Sequence, residues 1–162
     1  MDKEKRKVSC TFTGHRPEKL DADEEHVIEW LKTEISKAVE EGYTDFITGM
    51  ARGVDLWAAE EVLRLKEEGA DLRLIAASAF KGMEERWGRD WQVRYKTVLK
   101  KADEVHFISA KPGRRAFFER NEWLVDHASL LLAVYTGAGG GTKVTMEYAG
   151  KQGVEVRKYR RD

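Results

Sequence analysis

Short apolar runs alternate with stretches of helical period from one end of the chain to the other. Residues 8–13, 45–48, 72–77, 104–109, 130–135 and 154–157 read as strands. Between the first two, Val27, Ile28, Leu31, Ile35, Ala38 and Val39 recur at helical spacing, with Asp23 as candidate N-cap and Gly42 as the stop. Ala58, Ala59, Val62, Leu63 and Leu65 repeat the pattern before Gly69, and further helices are predicted over 83–101, 114–128 and 143–152. Alternating β and α elements predict an α/β fold, a Rossmann-like three-layer sandwich with a mostly parallel sheet of about six strands. The continuous run Leu130-Leu131-Leu132-Ala133-Val134 fits a strand buried on both faces, whereas Val154-Glu155-Val156-Arg157 alternates as an edge strand does. No repeat, low-complexity segment or linker interrupts the pattern, so residues 1–162 read as one domain.

Three glycine-centred turns follow three of these runs: Thr13-Gly14-His15-Arg16-Pro17, Gly49-Met50-Ala51-Arg52-Gly53-Val54-Asp55, and Gly139-Gly140-Gly141-Thr142. Turns of this kind at the carboxyl ends of parallel strands bring backbone N–H groups close to a phosphate, and the ligand crevice of an open α/β sheet lies there. A small-molecule nucleotide is the expected ligand. Arg16 offers a planar fork for phosphate or carboxylate, and His15 can orient a ligand or shuttle a proton. The second turn is neither Gly-x-Gly-x-x-Gly nor a Walker loop. A carboxylate at Asp55 would repel a phosphate, so it is read as a helix cap or an acceptor for a ribose hydroxyl. Thr142 is read as a cap or a phosphate donor.

Trp87, Trp91 and Tyr95 recur every four residues on the helix predicted over 83–101, among Arg86, Arg89 and Arg94. Core packing is one reading; a wall on which a base stacks is the other. The stretch from Arg114 to Asn121 repeats the mixture of aromatic and basic residues. Asn121 and Asp126 either reach the crevice or cap a turn.

Composition narrows the classes. Hydrophobic residues make up 41% of the chain and charged residues 36%, and 29 Lys plus Arg balance 29 Asp plus Glu. Zero net charge argues against a nucleic-acid partner, though not against a local basic site. The basic clusters at Lys3, Lys5, Arg6 and Lys7 and at Arg157, Lys158, Arg160 and Arg161 read as solvated tails. Cys10 is the only cysteine and the four histidines lack ligand spacing, so neither a disulfide framework nor a structural metal is expected. Mg²⁺ can accompany a phosphate, although no acidic pair demands it. No apolar stretch approaches the ~20 residues of a membrane span, and a cytoplasmic protein without membrane partners is expected.

Together these motifs resemble the YpsA-like family of the SLOG superfamily, named for Smf/DprA and the LOG nucleosidases. The similarity runs through Thr13–Pro17, Ile47 to Glu60, Arg120 to Asp126 and Gly140 to Lys143. It implies a bacterial or phage protein with a Rossmann-like fold whose glycine turns bind a nucleotide-derived ligand. YpsA-like proteins are linked to cell division in Gram-positive bacteria without an established reaction. Other SLOG domains sense signals such as ADP-ribose derivatives in antiphage defence, and SLOG relatives self-associate, so a homo-oligomer is implied. LOG hydrolases carry Pro-Gly-Gly-x-Gly-Thr-x-x-Glu; here Gly137, Ala138 and Thr145 replace the Pro, the first Gly and the Glu. Glu147 lies two residues further on, about 200° around a helix, and does not inherit the role.

The leading expectation is a sensor or sequestering protein. It would hold phosphate with Gly14, Arg16, residues 49–53 and residues 139–142, read ribose with Asp55 or Asn121, and cover the base with Trp87 or Trp91. Two alternatives stand beside it. One is a hydrolase or transferase acting on a nucleotide N-glycosidic or phosphate bond, with Asp55, His15, Asp126 and Glu147 as acid–base candidates. The other is a DprA-like single-strand DNA binder or a protein-interaction regulator of cell division.

Overall fold

A computed structural model of the chain describes residues 2–137 and 139–160. Along it run α1 (Lys3–Lys7), β1 (Ser9–Gly14), α2 (Glu24–Glu40), β2 (Asp45–Thr48), α3 (Val54–Glu67), β3 (Arg73–Ser78), α4 (Arg89–Lys101), β4 (Glu104–Phe107), α5 (Arg114–Asp126), β5 (Leu130–Val134), α6 (Gly141–Lys151) and β6 (Glu155–Lys158). The strands form one sheet in the order β4-β3-β2-β1-β5-β6, parallel throughout. The predicted three-layer α/β sandwich is therefore the observed one.

The layers follow from where the apolar side chains point. On one face Val27, Leu31 and Ile35 of α2, Leu56 and Val62 of α3, and Tyr95 and Val98 of α4 close over Cys10, Phe12, Phe46 and Leu74. On the other, Leu124 and Val125 of α5 and Ala149 of α6 cover Ile47, Ile75, Leu131 and Ala133. Each large side chain so buried stabilises the fold by roughly 1.5–3 kcal/mol, more than helix propensity supplies. The chain moves outward from β1 to β4 and then returns to place β5 on the other side of β1. That reversal opens the crevice at the carboxyl ends of β1 and β5.

Two expectations are corrected. The helix predicted from residue 83 begins only at Arg89, because Gly82, at φ +88°, and Gly88 keep the preceding segment in turns. Trp87 therefore lies outside the helix that carries Trp91 and Tyr95. The basic N-terminal stretch is a helix rather than a solvated tail: Asp2 Oδ1 accepts from the Glu4 N–H at 2.9 Å, and Arg6 Nε donates to the Ala128 carbonyl at 3.1 Å. At the other end Arg157 pairs with Glu41 and Glu155. Ala138 and Arg161 lie outside the described residues.

Gly14 is where the fold has least room. A Cβ there would stand 2.3 Å from Val54 Cγ2, so β1 and the start of α3 approach only because the side chain is missing. Val54 is buried and β-branched and has little freedom to move away. Gly14→Ala is expected to lower the unfolding free energy by about 2 kcal/mol or more in urea titrations. Gly139→Ala, which meets open space, should change it by less than about 0.5 kcal/mol.

Candidate functional site at the carboxyl edge of the sheet

The first turn is tied to the third. His15 is buried, its Nε2 accepts the Thr136 N–H at 3.1 Å, and its ring centroid stands 5.4 Å from that of Tyr135. The proton of the neutral ring therefore sits on Nδ1. Burial, helped by the charge of Lys19, holds this imidazole below its ordinary pKa. Arg16 is exposed, 3.7 Å from Glu18, and Arg52 of the second turn meets the same carboxylate at 3.0 Å. The Glu18 backbone N–H, with Arg52 and Arg16, holds that carboxyl below the usual range.

The second turn is closed on itself. Met50 has φ +67° and is fully buried in the core, so its side chain faces away from any ligand. Its N–H donates to Thr48 Oγ1 at 3.2 Å, and the Ala51 N–H donates to Asp55 Oδ2 at 3.3 Å. Two amides expected to receive a phosphate are thus already used. Asp55 does not cap α3: the N-cap is Gly53, at φ +89°, packed so that a Cβ would lie 3.1 Å from Pro17 Cδ. Burial pushes the Asp55 carboxyl up to about 6, against the opposing effects of the Arg120 charge and the Ala51 N–H.

Arg120 is the residue that sequence reasoning did not single out. It is 6% exposed, donates from Nη1 to the Gly49 carbonyl at 2.7 Å and from Nε to Asn121 Oδ1 at 3.0 Å, and lies 5.5 Å from the Phe117 ring centroid. Its Nη2 makes no hydrogen bond among the described residues. Gly49 is pressed between the two charges, a Cβ there lying 2.8 Å from Asp55 Oδ2 and 2.9 Å from Arg120 Cδ. A signal existed. Ala116, Arg120 and Leu124 recur every four residues and all are buried, so Arg120 occupies a core-facing position on its helix.

The third turn is open. Gly139 and Gly140 have nothing within 4 Å of a Cβ, and Gly140, at φ +113°, is the N-cap of α6 in place of Thr142, which is buried in the first helical turn. Asn121 Nδ2 is 3.7 Å from a Cβ on Gly141, which brings Asn121 to this turn. The helices α3, α4, α5 and α6 all start at a glycine without a side-chain cap, whereas α1 and α2 are capped by Asp2 and Asp23. Uncapped amides and the positive ends of helix dipoles therefore gather along the carboxyl edge.

The remaining candidates divide. Trp87 meets the Tyr95 ring edge-on at 5.5 Å and lies 5.8 Å from the Arg52 guanidinium, beside the second turn. Trp91 instead fills the seam between α3 and α4, against Trp57 and the guanidinium of Arg94, which Glu60 holds with two bonds. Asp126 ends α5, about 18 Å along the axis from Arg114, where it accepts from the Tyr148 hydroxyl at 2.7 Å and raises that phenol to about 12. Glu147 is exposed on α6 and, with Asn121, Phe118 and Tyr148, lines a cleft of about 250 Å³ between α5 and α6. Of the four acid–base candidates, Asp126 and Glu147 thus lie on α5 and α6, apart from the second turn that holds Asp55. Among the described residues no group of three or more His, Cys, Asp or Glu side chains is placed to hold a metal ion. Nor is any helix among them long and apolar enough to cross a membrane.

An open parallel α/β sandwich with glycine-started helices facing one edge defines the class. The profile of the YspA SLOG family (YpsA) matches residues 10–160, and the chain belongs to that family. It is 33% identical over 138 residues to the uncharacterized SPbeta prophage-derived protein YoqJ of Bacillus subtilis, covering 75% of this chain and 81% of that one. It is also 33% identical over 132 residues to a UPF0398 protein of Bacillus thuringiensis, covering 80% and 71%. DNA processing protein A (DprA) of Streptococcus pneumoniae superposes with a TM-score of 0.67 at 14% identity; the match covers 96% of this chain and about half, 51%, of that protein. The DprA of Helicobacter pylori superposes with a TM-score of 0.66 at 16% identity, covering 99% of this chain and 70% of that one.

The two structural likenesses show the fold. They also overturn one expectation. Zero net charge does not set such a chain apart from nucleic acid, because the H. pylori protein is described by its single-stranded DNA binding mode. Net charge failed as a guide because it sums the whole surface. The loops and first helical turns of this edge carry Arg16, Arg52, Lys81, Arg86, Arg114 and Arg115 among Glu18, Asp55, Glu84, Glu85 and Asp90, and a sum over the chain does not show how these are arranged.

The raised Asp55 pKa has a definite sign in stability. Between about pH 4 and 6 the folded chain keeps a proton that the unfolded chain has released, so the Asp55 contribution to stability falls as pH rises through this window. Relative to Asp55→Asn, the wild-type chain should lose up to about 3 kcal/mol of unfolding free energy between pH 4 and 7, measured by denaturant titration at each pH. A difference that does not change with pH would refute the burial argument.

Proposed function

We propose that the chain binds single-stranded nucleic acid along the carboxyl edge of the sheet, phosphates on the helix starts and arginines, bases against the exposed aromatic rings. One observation carries this reading: the uncapped starts of α3 and α5 coincide with paired arginines and aromatics. Arg52 lies 5.8 Å from the Trp87 ring and Arg114 lies 5.9 Å from the Phe118 ring, and Phe117 and Phe118 are 37% and 38% exposed. Stacking on such rings is worth about 1–3 kcal/mol per base and tolerates any sequence, while the cations follow the backbone. The Nη2 of buried Arg120, which makes no hydrogen bond among the described residues, adds a donor for an anion at the second turn. The DNA binding named for the H. pylori relative of the same fold supports the same reading.

A second reading, a nucleotide-derived small ligand such as an ADP-ribose-type signal, is favoured by the bond from Thr136 to His15. That bond holds the first turn beside the open glycines of the third. Phosphate recognition is common to both readings, and the polymer separates them.

Fluorescence anisotropy with a labelled single-stranded oligonucleotide tests the choice. Binding should weaken with salt, the logarithmic slope being about −0.7 for each phosphate engaged. Arg52→Ala and Arg114→Ala should each weaken binding several-fold and flatten that slope by roughly one contact. An oligonucleotide that fails to bind at low salt while ADP-ribose binds would replace the first reading with the second. Failure of both would reject the edge as a nucleotide site.

A further inference from the structure

Glu18 stands where the first turn meets the second. Pro17–Lys19 make a single 3₁₀ turn after β1, closed by the Lys19 N–H on the Arg16 carbonyl at 2.9 Å and the Leu20 N–H on the Pro17 carbonyl at 3.2 Å. Pro17 packs so closely on Gly53 that a Cβ there would lie 3.1 Å from the proline Cδ. The backbone of Glu18 is thereby held beside the turn that carries Arg52. Its carboxylate meets two cations through one oxygen: Oε2 accepts from Arg52 Nη2 at 3.0 Å and lies 3.7 Å from Arg16 Nε. The same Arg52 guanidinium is 5.8 Å from the Trp87 ring centroid. One carboxylate oxygen therefore occupies the point on which two guanidiniums converge, next to a ring able to stack. Guanidiniums converging on an oxyanion are also how a phosphate is held.

We infer that Glu18 is a competitor built into this edge: in the free chain its carboxylate fills the phosphate position between Arg16 and Arg52, and a bound phosphate displaces it. The inference rests on the proposed phosphate-binding role of the edge and assigns Glu18 to its regulation. Displacement needs no change of backbone. The Glu18 and Arg16 side chains are half-exposed, so a carboxylate that swings out regains its hydration, and an exposed ion pair is weak enough to exchange. A ligand gains at this point only the difference between its own pairing and that of Glu18. Its apparent affinity falls by the fraction of time the carboxylate is in place. Pairing distinguishes Glu18 from the other acids of the edge. Glu85 is exposed there too but enters no ion pair among the described residues, so its charge acts only through space and is screened by salt.

Glu18→Gln keeps the size of the side chain and removes its charge, and two readouts separate the contact from the ligand. The first needs no ligand: phenylglyoxal should modify Arg52 several-fold faster in Glu18→Gln than in the unmodified chain, followed by peptide mass spectrometry, and at an unchanged rate in Glu85→Gln. The second uses the labelled single-stranded oligonucleotide, with ADP-ribose as the alternative probe. Glu18→Gln should bind several-fold more tightly, Glu85→Gln should gain clearly less, and most of the Glu18→Gln gain should vanish in the Arg52→Ala background. Unchanged Arg52 labelling in Glu18→Gln overturns the inference, whatever binds. So does a Glu18→Gln chain that binds no more tightly, an equal gain in Glu85→Gln, or a gain that survives in full without Arg52. Faster labelling with neither probe bound by either chain rejects the reading of the edge itself, and the competitor role with it.

Discussion

Arg120 reaches from α5 on one face of the sheet to the Gly49 carbonyl at the end of β2, and Asp55 reaches from α3 on the other. A guanidinium so deeply placed loses its hydration and depends on fixed dipoles and a nearby charge to replace it. The Gly49 carbonyl and the Asn121 amide oxygen supply the first, and Asp55 the second. Because Gly49 is wedged between the two side chains, the turn after β2 has no room to slide without exposing one of them. The rest of the edge inherits its position from this arrangement. The Ala51 amide rests on Asp55, Gly53 starts α3 against Pro17, and Asn121 is delivered to Gly141.

The same edge separates holding from receiving. Around β1 and β2 the glycines are crowded and the Met50 and Ala51 amides are engaged, so those turns pack α3 on the sheet. Around Gly139 and Gly140 the space is free and the start of α6 is uncapped. Under the proposed function, phosphates are received where amides remain open, at helix starts rather than inside the turn residues themselves. Glu18, shared by Arg16 and Arg52, occupies for the moment the kind of place an anion would take.

Most of the fold was legible because its two periods are clean. Strands of alternating or continuous apolar character and helices with rows such as Val27, Leu31 and Ile35 were readable to within a residue or two. The start of α4 was not, since Met83 and Trp87 keep a helical spacing while Gly82 and Gly88 decide the backbone. Site geometry was less readable, for definite reasons. A glycine letter is the same whether it removes a clash, as at Gly14, or leaves a gap, as at Gly139. Arg120 stood in the sequence only as part of a mixed aromatic and basic stretch, and its position in the Ala116–Leu124 row is what faces it inward. Asp55 was read as a helix cap or a ribose acceptor, and the cap fails because sequence shows its place in the first turn but not that its oxygen turns back to Ala51.

The bond between Thr136 and His15 has a consequence of its own. It uses a lone pair on Nε2 that imidazole keeps only while uncharged; a proton there would set donor against donor. The seam between the first and third turns is therefore a latch held shut by the absence of charge. Acid undoes it, while β1 and β5, joined by peptide groups that do not titrate, stay zipped beneath.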